Sequence, residues 1–166
     1  MSLNNSLSLR IACDGESSSG KSTAAKLISK KYNLFCMHSG LLFRYASYLI
    51  IKHKPKKIIL FLRKKFKNLN YKKITHLNLH SQKISNHVAT LAKQKKVRQI
   101  MRIFQKKIIK QHHQICCEGR DQASVILRKN PRYDVAFYFK CNLNVASLRR
   151  WIDLKKKVPL IEVKKS

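Results

Sequence analysis

Residues 9–31 of the chain read LRIACDGESSSGKSTAAKLISKK. Within this stretch, residues 15–22 match the pattern G-x-x-x-x-G-K-[ST], the phosphate-binding P-loop. The apolar residues 9–13 before the loop predict a short buried strand, and residues 23–31 after it have helical periodicity. We expect Ala24, Leu27 and Ile28 to form the buried face of that helix.

The chemistry of phosphate binding explains why these residue types occur at this spacing. Small residues let the backbone amides of the loop face phosphate oxygens, and the N-terminus of the following helix adds positive potential. The Lys21 ammonium would reach the β- and γ-phosphates, and the Ser22 hydroxyl would bind Mg²⁺. The alternative is an ordinary Gly/Ser turn that leads into a helix.

A second glycine motif, HSGLLFR at residues 38–44, follows the apolar segment 34–37 and precedes a helix that we expect to reach about residue 51. A Ser-Gly pair before an apolar helix is commonly only a cap. Arg44 lies one turn into the helix, where its guanidinium could bind a second phosphate. The alternative places Arg44 on the surface without a ligand.

A third motif, ICCEGRD at residues 115–121, again ends an apolar strand in a tight turn. The chain has only seven acidic residues, and four of them (Asp14, Glu16, Glu118 and Asp121) lie at the ends of two predicted strands. Because open α/β sheets bind ligands at the carboxyl ends of their strands, these acids favour metal-water contacts or base recognition. The alternative is that they neutralise neighbouring cations.

The alternation of strands and helices predicts an α/β protein with a parallel sheet flanked by helices. Residues 135–139 predict a fourth buried strand, and Val125 with Ile126 indicates a further helix. Helical spacing is also present in a later segment, at Val97, Ile100, Met101, Phe104 and Ile108. The length of 166 residues suits one domain with at most a small appended lobe.

The net charge of +30 has two interpretations. Clustered cations bind nucleic acid by releasing counterions from its phosphates. However, Lys outnumbers Arg by 27 to 10, and Lys, Ile and Asn share A/T-rich codons, so a low-GC genome would produce the same composition. The cations are also spread along the chain. We therefore attribute the high charge to the base composition of the genome, with non-specific affinity for nucleic acid as a side effect.

The sequence predicts a cytoplasmic protein without membrane contact. No apolar run is long enough to cross a bilayer, and the N-terminus lacks the pattern of a signal peptide. The odd number of cysteines and the absence of C-x-x-C spacing argue against disulfides and a zinc site. We expect reduced core thiols at Cys13, Cys36, Cys116, Cys117 and Cys141.

Taken in order, these motifs resemble the bacterial cytidylate kinase family over about residues 9–156. Besides the P-loop, HSGLLFR corresponds to the family's D-[ST]-G-x-x-Y-R, and EGRDQAS corresponds to G-R-D-x-G-T. SQKISNHVA, VRQIMRIFQK and NVASLRRW also match, at residues 81–89, 97–106 and 144–151. The Gly-Arg-Asp and Val-Arg segments distinguish the chain from adenylate and shikimate kinases.

The resemblance implies a P-loop nucleoside-monophosphate-kinase fold and ATP-dependent phosphorylation of CMP and dCMP in pyrimidine nucleotide metabolism. Arg98 and Asp121 would recognise the cytosine, and Glu118 would contact Mg²⁺ through water beside Ser22. Lys21 and Arg120 would be catalytic, and the CMP phosphate would be held by Ser39, Arg44 and Arg120. The ATP phosphates would lie on Gly15, Glu16, Ser17, Ser18, Ser19, Gly20, Lys21, Ser22 and Thr23.

The sequence also departs from the family. The segment between Arg44 and His80 is shorter than in the family and rich in lysine. The sequence stops at Ser166, about where the family's lid begins, and we expect it to be a truncated or frameshifted form of a longer enzyme. We therefore divide the chain into core residues 1–53, an insert at 54–80, further core at 81–156 and the start of a lid at 157–166. Four residues differ from those that the family has at the same positions, and these differences bear on the choice between CMP and UMP: His38, Phe43, His80 and Ala89. In addition, Glu16 stands where the family usually has proline.

Two alternatives remain beside a monomeric cytidylate kinase. One is another small-acceptor P-loop kinase. The other is a non-catalytic, basic P-loop protein that binds nucleic acid. A nucleic-acid binder has no need of an aspartate among arginines, and its cations should be interleaved with aromatic residues, which make up only 8% of this chain.

Overall fold

A computed structural model of the chain describes residues 8–153 together with residues 161 and 163. Its strands are β1 (Leu9–Gly15), β2 (Phe35–His38), β3 (Gln114–Gly119) and β4 (Val135–Phe139). Its helices are α1 (Lys21–Lys31), α2 (Ser39–His53), α3 (Ile58–Lys67), α4 (Tyr71–Thr75), α5 (Gln82–Leu91), α6 (Lys95–Gln111) and α7 (Leu143–Asp153). The predicted start of a lid and the end of the predicted core lie largely outside the described residues.

The chain divides into two compact units. The first comprises residues 1–37 and 114–166, and the second comprises residues 38–113. The strands form one sheet in the order β2-β3-β1-β4. β1 pairs in parallel with both β3 and β4, with Cys13 opposite Glu118 and Gly15 opposite Phe139. The predicted α/β class with a parallel sheet flanked by helices is therefore confirmed.

The core of the first unit lies between α1 and the sheet. Ile11, Ala25, Leu34 and Cys116 are buried together there. The predicted apolar face of α1 is wrong for Leu27, which is 64% exposed, whereas Ile28 packs against the core as expected and Ala25 lies within it. Lys21 is buried at the first turn, and residues four and eight positions later share its side of a helix.

Two further predictions in this unit are corrected. β4 is a strand as predicted, but it is not buried, since Val135, Phe137 and Tyr138 are 40%, 44% and 62% exposed. It lies at an edge of the described sheet, where only β1 pairs with it. The helix predicted around Val125 is a single π-helical turn (Gln122–Ile126), closed by a bond from the Leu127 amide to the Gln122 carbonyl. It packs on β1 and β3.

The second unit is helical. α2 packs against α4, α5 and α6, and α3 packs against α6. The spacing predicted for α6 is confirmed, because Val97, Ile100, Met101, Phe104 and Ile108 are all buried. The predicted insert at residues 54–80 contributes α3 and α4 to this unit.

All five cysteines are free thiols, as predicted. Cys13, Cys116 and Cys117 are buried, whereas Cys36 and Cys141 are half-buried. The Sγ atoms of Cys13 and Cys116 are 3.7 Å apart, and this hydrogen bond together with burial raises the pKa of Cys13. Burial likewise raises the pKa of Cys117, so these thiols stay protonated. Within the described part of the chain, no helix combines the length and the apolar character needed to cross a membrane.

Candidate active site

The loop between β1 and α1 has the backbone of a phosphate-binding turn. Gly20 has φ +91° and forms the N-cap of α1, and Ser18 adopts a positive φ of 57°. Non-glycine residues rarely adopt positive φ, and such conformations concentrate at functional sites. The loop therefore opens at the N-terminus of an eleven-residue helix, where backbone amides are left without helical partners.

Lys21 lies within this loop, and only 8% of it is exposed. Its Nζ donates to the backbone oxygen of Glu16 at 2.7 Å and lies 3.7 Å from a carboxylate oxygen of Glu118. Glu118 is itself buried, one residue before the end of β3. The ammonium is thus held across the loop between two neighbouring strand ends.

The four acids grouped by sequence have different environments. Asp14 is buried, and its two carboxylate oxygens accept from the backbone amides of Gln122 and Ala123 at 2.7 and 2.9 Å. Asp14 therefore joins the end of β1 to the π-helical turn. Glu118 pairs with Lys21, whereas Glu16 is exposed and Asp121 half-buried. Of the four, Glu118 is the acid that the structure places against the P-loop lysine.

A small cavity adjoins the P-loop in the first unit. It has a volume of about 260 Å³ and is lined by Gly15, Glu16, Ser17, Arg120 and Tyr138. Arg120 directly follows β3 and is exposed, as expected for a residue that binds an anion from solution. The structure thus brings the predicted catalytic residue Arg120 to the same edge as the P-loop.

Arg149 is a P-loop neighbour that sequence reasoning did not single out. Its Nη1 lies 3.4 Å from the backbone oxygen of Ser18 and 3.8 Å from Sγ of Cys141. Arg149 also lies near Gly20, since a Cβ added to that glycine would be 3.7 Å from the same nitrogen. The Arg-Arg pair in α7 was visible in the sequence, but nothing local to it indicates that one of the two reaches residues 18–20.

The remaining predicted site residues belong to the second unit. Ser39 begins α2 and is buried. Arg44 donates through Nη1 to the carbonyl of Leu79 and to Oγ of Ser85, each at 3.1 Å. Arg98 donates through Nη1 to the carbonyls of Ala92 and Lys93, each at 2.8 Å. Arg44 is therefore half-buried and held in place, not a loose surface side chain.

Tyr71 fixes the start of α2 beside Ser39. The backbone amide of His38 donates to the hydroxyl of Tyr71 at 2.7 Å, and that hydroxyl lies 3.4 Å from the His38 carbonyl. Tyr71 is buried at the beginning of α4, within the shortened insert. This hydroxyl was not predicted, because the contact joins residues 33 positions apart.

The side chains at the P-loop suit a magnesium ion that is held mainly by phosphate and water. Ser22 offers an exposed hydroxyl at the start of α1, and Glu118 offers a carboxylate nearby in the first unit. Among the described residues, no three His, Cys, Asp or Glu side chains form a metal cluster. Mg²⁺ usually keeps several waters and needs only one or two protein ligands beside substrate phosphates, so this donor set fits it.

Comparison with known proteins identifies the family. The profile of the family described as cytidylate kinase matches residues 11–164. A cytidylate kinase from Phytoplasma mali (strain AT) is 29% identical, over 94% of this chain and 73% of its own length. One from Clostridioides difficile (strain 630) is 30% identical, over 88% and 71%. A bifunctional pantoate ligase/cytidylate kinase from Prochlorococcus marinus (strain MIT 9301) is 31% identical, over 89% of this chain and 31% of that protein. The chain therefore belongs to the cytidylate kinase family.

Proposed function

We propose that the chain transfers the γ-phosphoryl group of ATP to CMP and dCMP, giving ADP with CDP or dCDP. The observation that carries the proposal is the P-loop, in which Lys21 is held between the Glu16 carbonyl and Glu118. Family membership specifies the acceptor, because the relatives are cytidylate kinases.

The donor side of the reaction rests on residues 15–23. Their backbone amides and the N-terminus of α1 would bind the phosphates of ATP. Ser19 supports this role, since its Oγ is buried and has no hydrogen-bond partner among the described residues. A phosphate oxygen would satisfy that hydroxyl, whereas leaving it unpaired costs about 1–3 kcal/mol. Bound Mg²⁺, contacted by Ser22 and through water by Glu118, would neutralise phosphate charge.

The acceptor side rests on arginines that are already oriented. The bonds from Arg44 to the Leu79 carbonyl and to Ser85 Oγ hold its guanidinium in place. A guanidinium held in this way can form charge-assisted bonds with the CMP phosphate. Arg120 would contribute a second guanidinium, and Ser39 a hydroxyl. Arg98 and Asp121 would recognise cytosine, which offers an amine donor beside ring acceptors.

The reaction itself then needs no covalent intermediate and no strong base. Charge spreads over the oxygens of the moving phosphoryl group, and the chain's part is to position the two nucleotides and to neutralise that charge. Lys21 and Arg120 are the side chains we assign to neutralisation. We also propose that the enzyme is a monomer and acts in the cytoplasm.

The experiment that tests the proposal is a measurement of ADP release with ATP and Mg²⁺ in the presence of CMP, dCMP, UMP or AMP. We expect turnover with CMP and dCMP and at least tenfold less with UMP and AMP. Faster turnover with UMP or AMP would identify another small-acceptor kinase. Absence of turnover with every acceptor would refute the kinase proposal for this chain.

Arg149→Ala is expected to weaken ATP binding selectively. Arg149 lies against the Ser18 carbonyl, and its guanidinium can bind an ATP phosphate on the loop. Losing one charge-assisted contact of about 1.4 kcal/mol corresponds to a tenfold change. We therefore expect KM for ATP to rise about tenfold while KM for CMP stays constant, with partial rescue in Arg149→Lys. The matched control is Arg150→Ala on the same helix, and an equal rise in that variant would contradict the assignment.

A further inference from the structure

The second unit contains no acidic residue. All seven Asp and Glu residues lie outside residues 38–113, at Asp14, Glu16, Glu118, Asp121, Asp134, Asp153 and Glu162. The same 76-residue unit holds 20 of the 37 Lys and Arg residues and all seven histidines. A low-GC genome accounts for an excess of lysine, but it does not account for the confinement of every carboxylate to the other unit.

Part of this charge is gathered on one surface, formed where α3 meets α6. Nζ of Lys107 on α6 donates to the backbone oxygen of Lys67 at the end of α3, at 3.2 Å. Arg63 and Lys64 lie one turn before Lys67, and Lys110 lies one turn after Lys107, so helical spacing places them on the same sides of their helices. All five side chains are exposed.

Lys72 of α4 extends this surface at the end of α6. The pKa of His112, the C-cap residue directly after α6, is lowered first by burial and second by the charge of Lys72. Lys72 is also exposed. We name these side chains the basic surface: Arg63, Lys64, Lys67, Lys72, Lys107 and Lys110.

The basic surface lacks internal neutralisation. No carboxylate of the second unit can pair with its cations, because the unit has none. Lys106 and Lys110, four residues apart on α6, additionally place like charges on neighbouring turns, which destabilises a helix. A surface of this kind binds polyanions, since each phosphate that it neutralises releases a condensed counterion.

The burial pattern favours nucleic acid over a membrane as the polyanion. Membrane-surface helices need a continuous outward apolar face. In contrast, α3 and α6 each expose one large apolar side chain, Leu60 and Ile103, and bury others such as Leu62, Phe66 and Met101. No Phe or Tyr side chain in residues 38–113 is exposed, so the surface offers no such ring for base stacking. Contacts would be made to the phosphodiester backbone without base preference.

We propose that the basic surface is a sequence-independent binding site for the phosphodiester backbone of nucleic acid, separate from the nucleotide chemistry of the P-loop. The site requires neither ATP nor CMP. It binds duplex RNA and duplex DNA alike, because both present regularly spaced phosphates.

The test is fluorescence anisotropy of the full chain with labelled 20-base-pair RNA and DNA duplexes over a range of salt concentrations. With six cations each neutralising one phosphate, we expect log K to fall with log salt at a slope of about −5. Changing Lys64, Lys67, Lys107 and Lys110 together to Gln should make the slope shallower by about 3.6 and weaken binding at 0.1 M salt by about 10³–10⁴-fold.

The matched control changes four exposed lysines of the first unit to Gln, namely Lys26, Lys30, Lys31 and Lys129. Both variants lose four positive charges, so only the location differs. We expect the control to keep more than half of the wild-type slope and at least tenfold tighter binding than the other variant. Equal losses in the two variants would show that net charge alone acts and would refute the site. Tighter binding to phosphatidylserine vesicles than to either duplex at equal phosphate concentration would overturn the choice of nucleic acid.

Discussion

Lys21→Met is expected to reduce kcat for phosphoryl transfer from ATP to CMP by about 10³-fold, the loss typical of one preorganised charge contact in a transition state. Methionine keeps most of the apolar stem that fills the loop but removes the ammonium that lies 2.7 Å from the Glu16 carbonyl and 3.7 Å from Glu118. Because charge develops on the moving phosphoryl group, we expect the loss mainly in kcat and less in KM for CMP.

The control for this variant is Lys26→Met, which changes an exposed lysine of the same helix. Steady-state kinetics with both variants, alongside circular dichroism, separates a local effect from a loss of folding. We expect Lys26→Met to retain wild-type kcat. A Lys21→Met enzyme with more than a tenth of wild-type kcat would remove Lys21 from the catalytic residues.

Local sequence signals were sufficient for the fold class. The strand before the P-loop, the helix after it and the strand at residues 135–139 follow from runs of apolar residues and from turn-forming glycines. Each of these signals spans fewer than a dozen neighbouring residues. The parallel order of the sheet follows from the alternation of strands and helices, because parallel strands require crossover connections.

The orientation of α1 could not be predicted in this way. Periodicity favoured a face that includes Leu27, but the helix begins at Lys21, whose side chain is drawn into the loop by Glu16 and Glu118. That constraint turns Ala25 inward and Leu27 outward. The buried, hydrogen-bonded Lys21 at the first turn thus outweighs the burial of one leucine.

The local sequence pattern likewise does not show that β4 lies at the edge of the described sheet. The five residues of β4 (VAFYF) have the composition of a buried strand, yet in the described sheet only β1 lies beside them. Composition identifies a strand, whereas exposure depends on what else packs against it. The same limit applies to Asp14. Its position at a strand end groups it with three other acids, whereas its backbone-amide partners lie 108 and 109 residues later, where no local pattern indicates them.

Site residues could be predicted from the sequence where their motif is local. Gly15, Glu16 and Ser17 of the P-loop line one cavity in the first unit together with Arg120, and these residues lie at or just after the ends of β1 and β3. Arg149 was missed because it approaches Ser18 from 131 residues away. The assignment of CMP and cytosine contacts to Ser39, Arg44, Arg98 and Asp121 stays a prediction.

Gly15→Ala is expected to destabilise the first unit strongly, and more than Gly20→Ala. Gly15 ends β1 opposite Phe139 of β4 and has φ +154°, a region that L residues rarely adopt. A Cβ at this position would collide with the backbone oxygen of Phe139, which cannot move aside as a flexible side chain could. Backbone strain of about 1–3 kcal/mol and crowding of about 1–3 kcal/mol together give a loss of about 4 kcal/mol.

Thermal unfolding compares this variant with Gly40→Ala. Gly40 lies in the first turn of α2, and an added Cβ would meet no atom within 4 Å, so alanine should raise stability by about 0.5–1 kcal/mol. For a chain of this length, 1 kcal/mol corresponds to about 2–4 °C, and we therefore expect Tm to fall by about 10 °C in Gly15→Ala and to rise by about 2 °C in Gly40→Ala. A fall below 2 °C in Gly15→Ala would mean that β4 can move away from β1 at little cost. The close β1–β4 approach would then not be what requires glycine at the start of the P-loop.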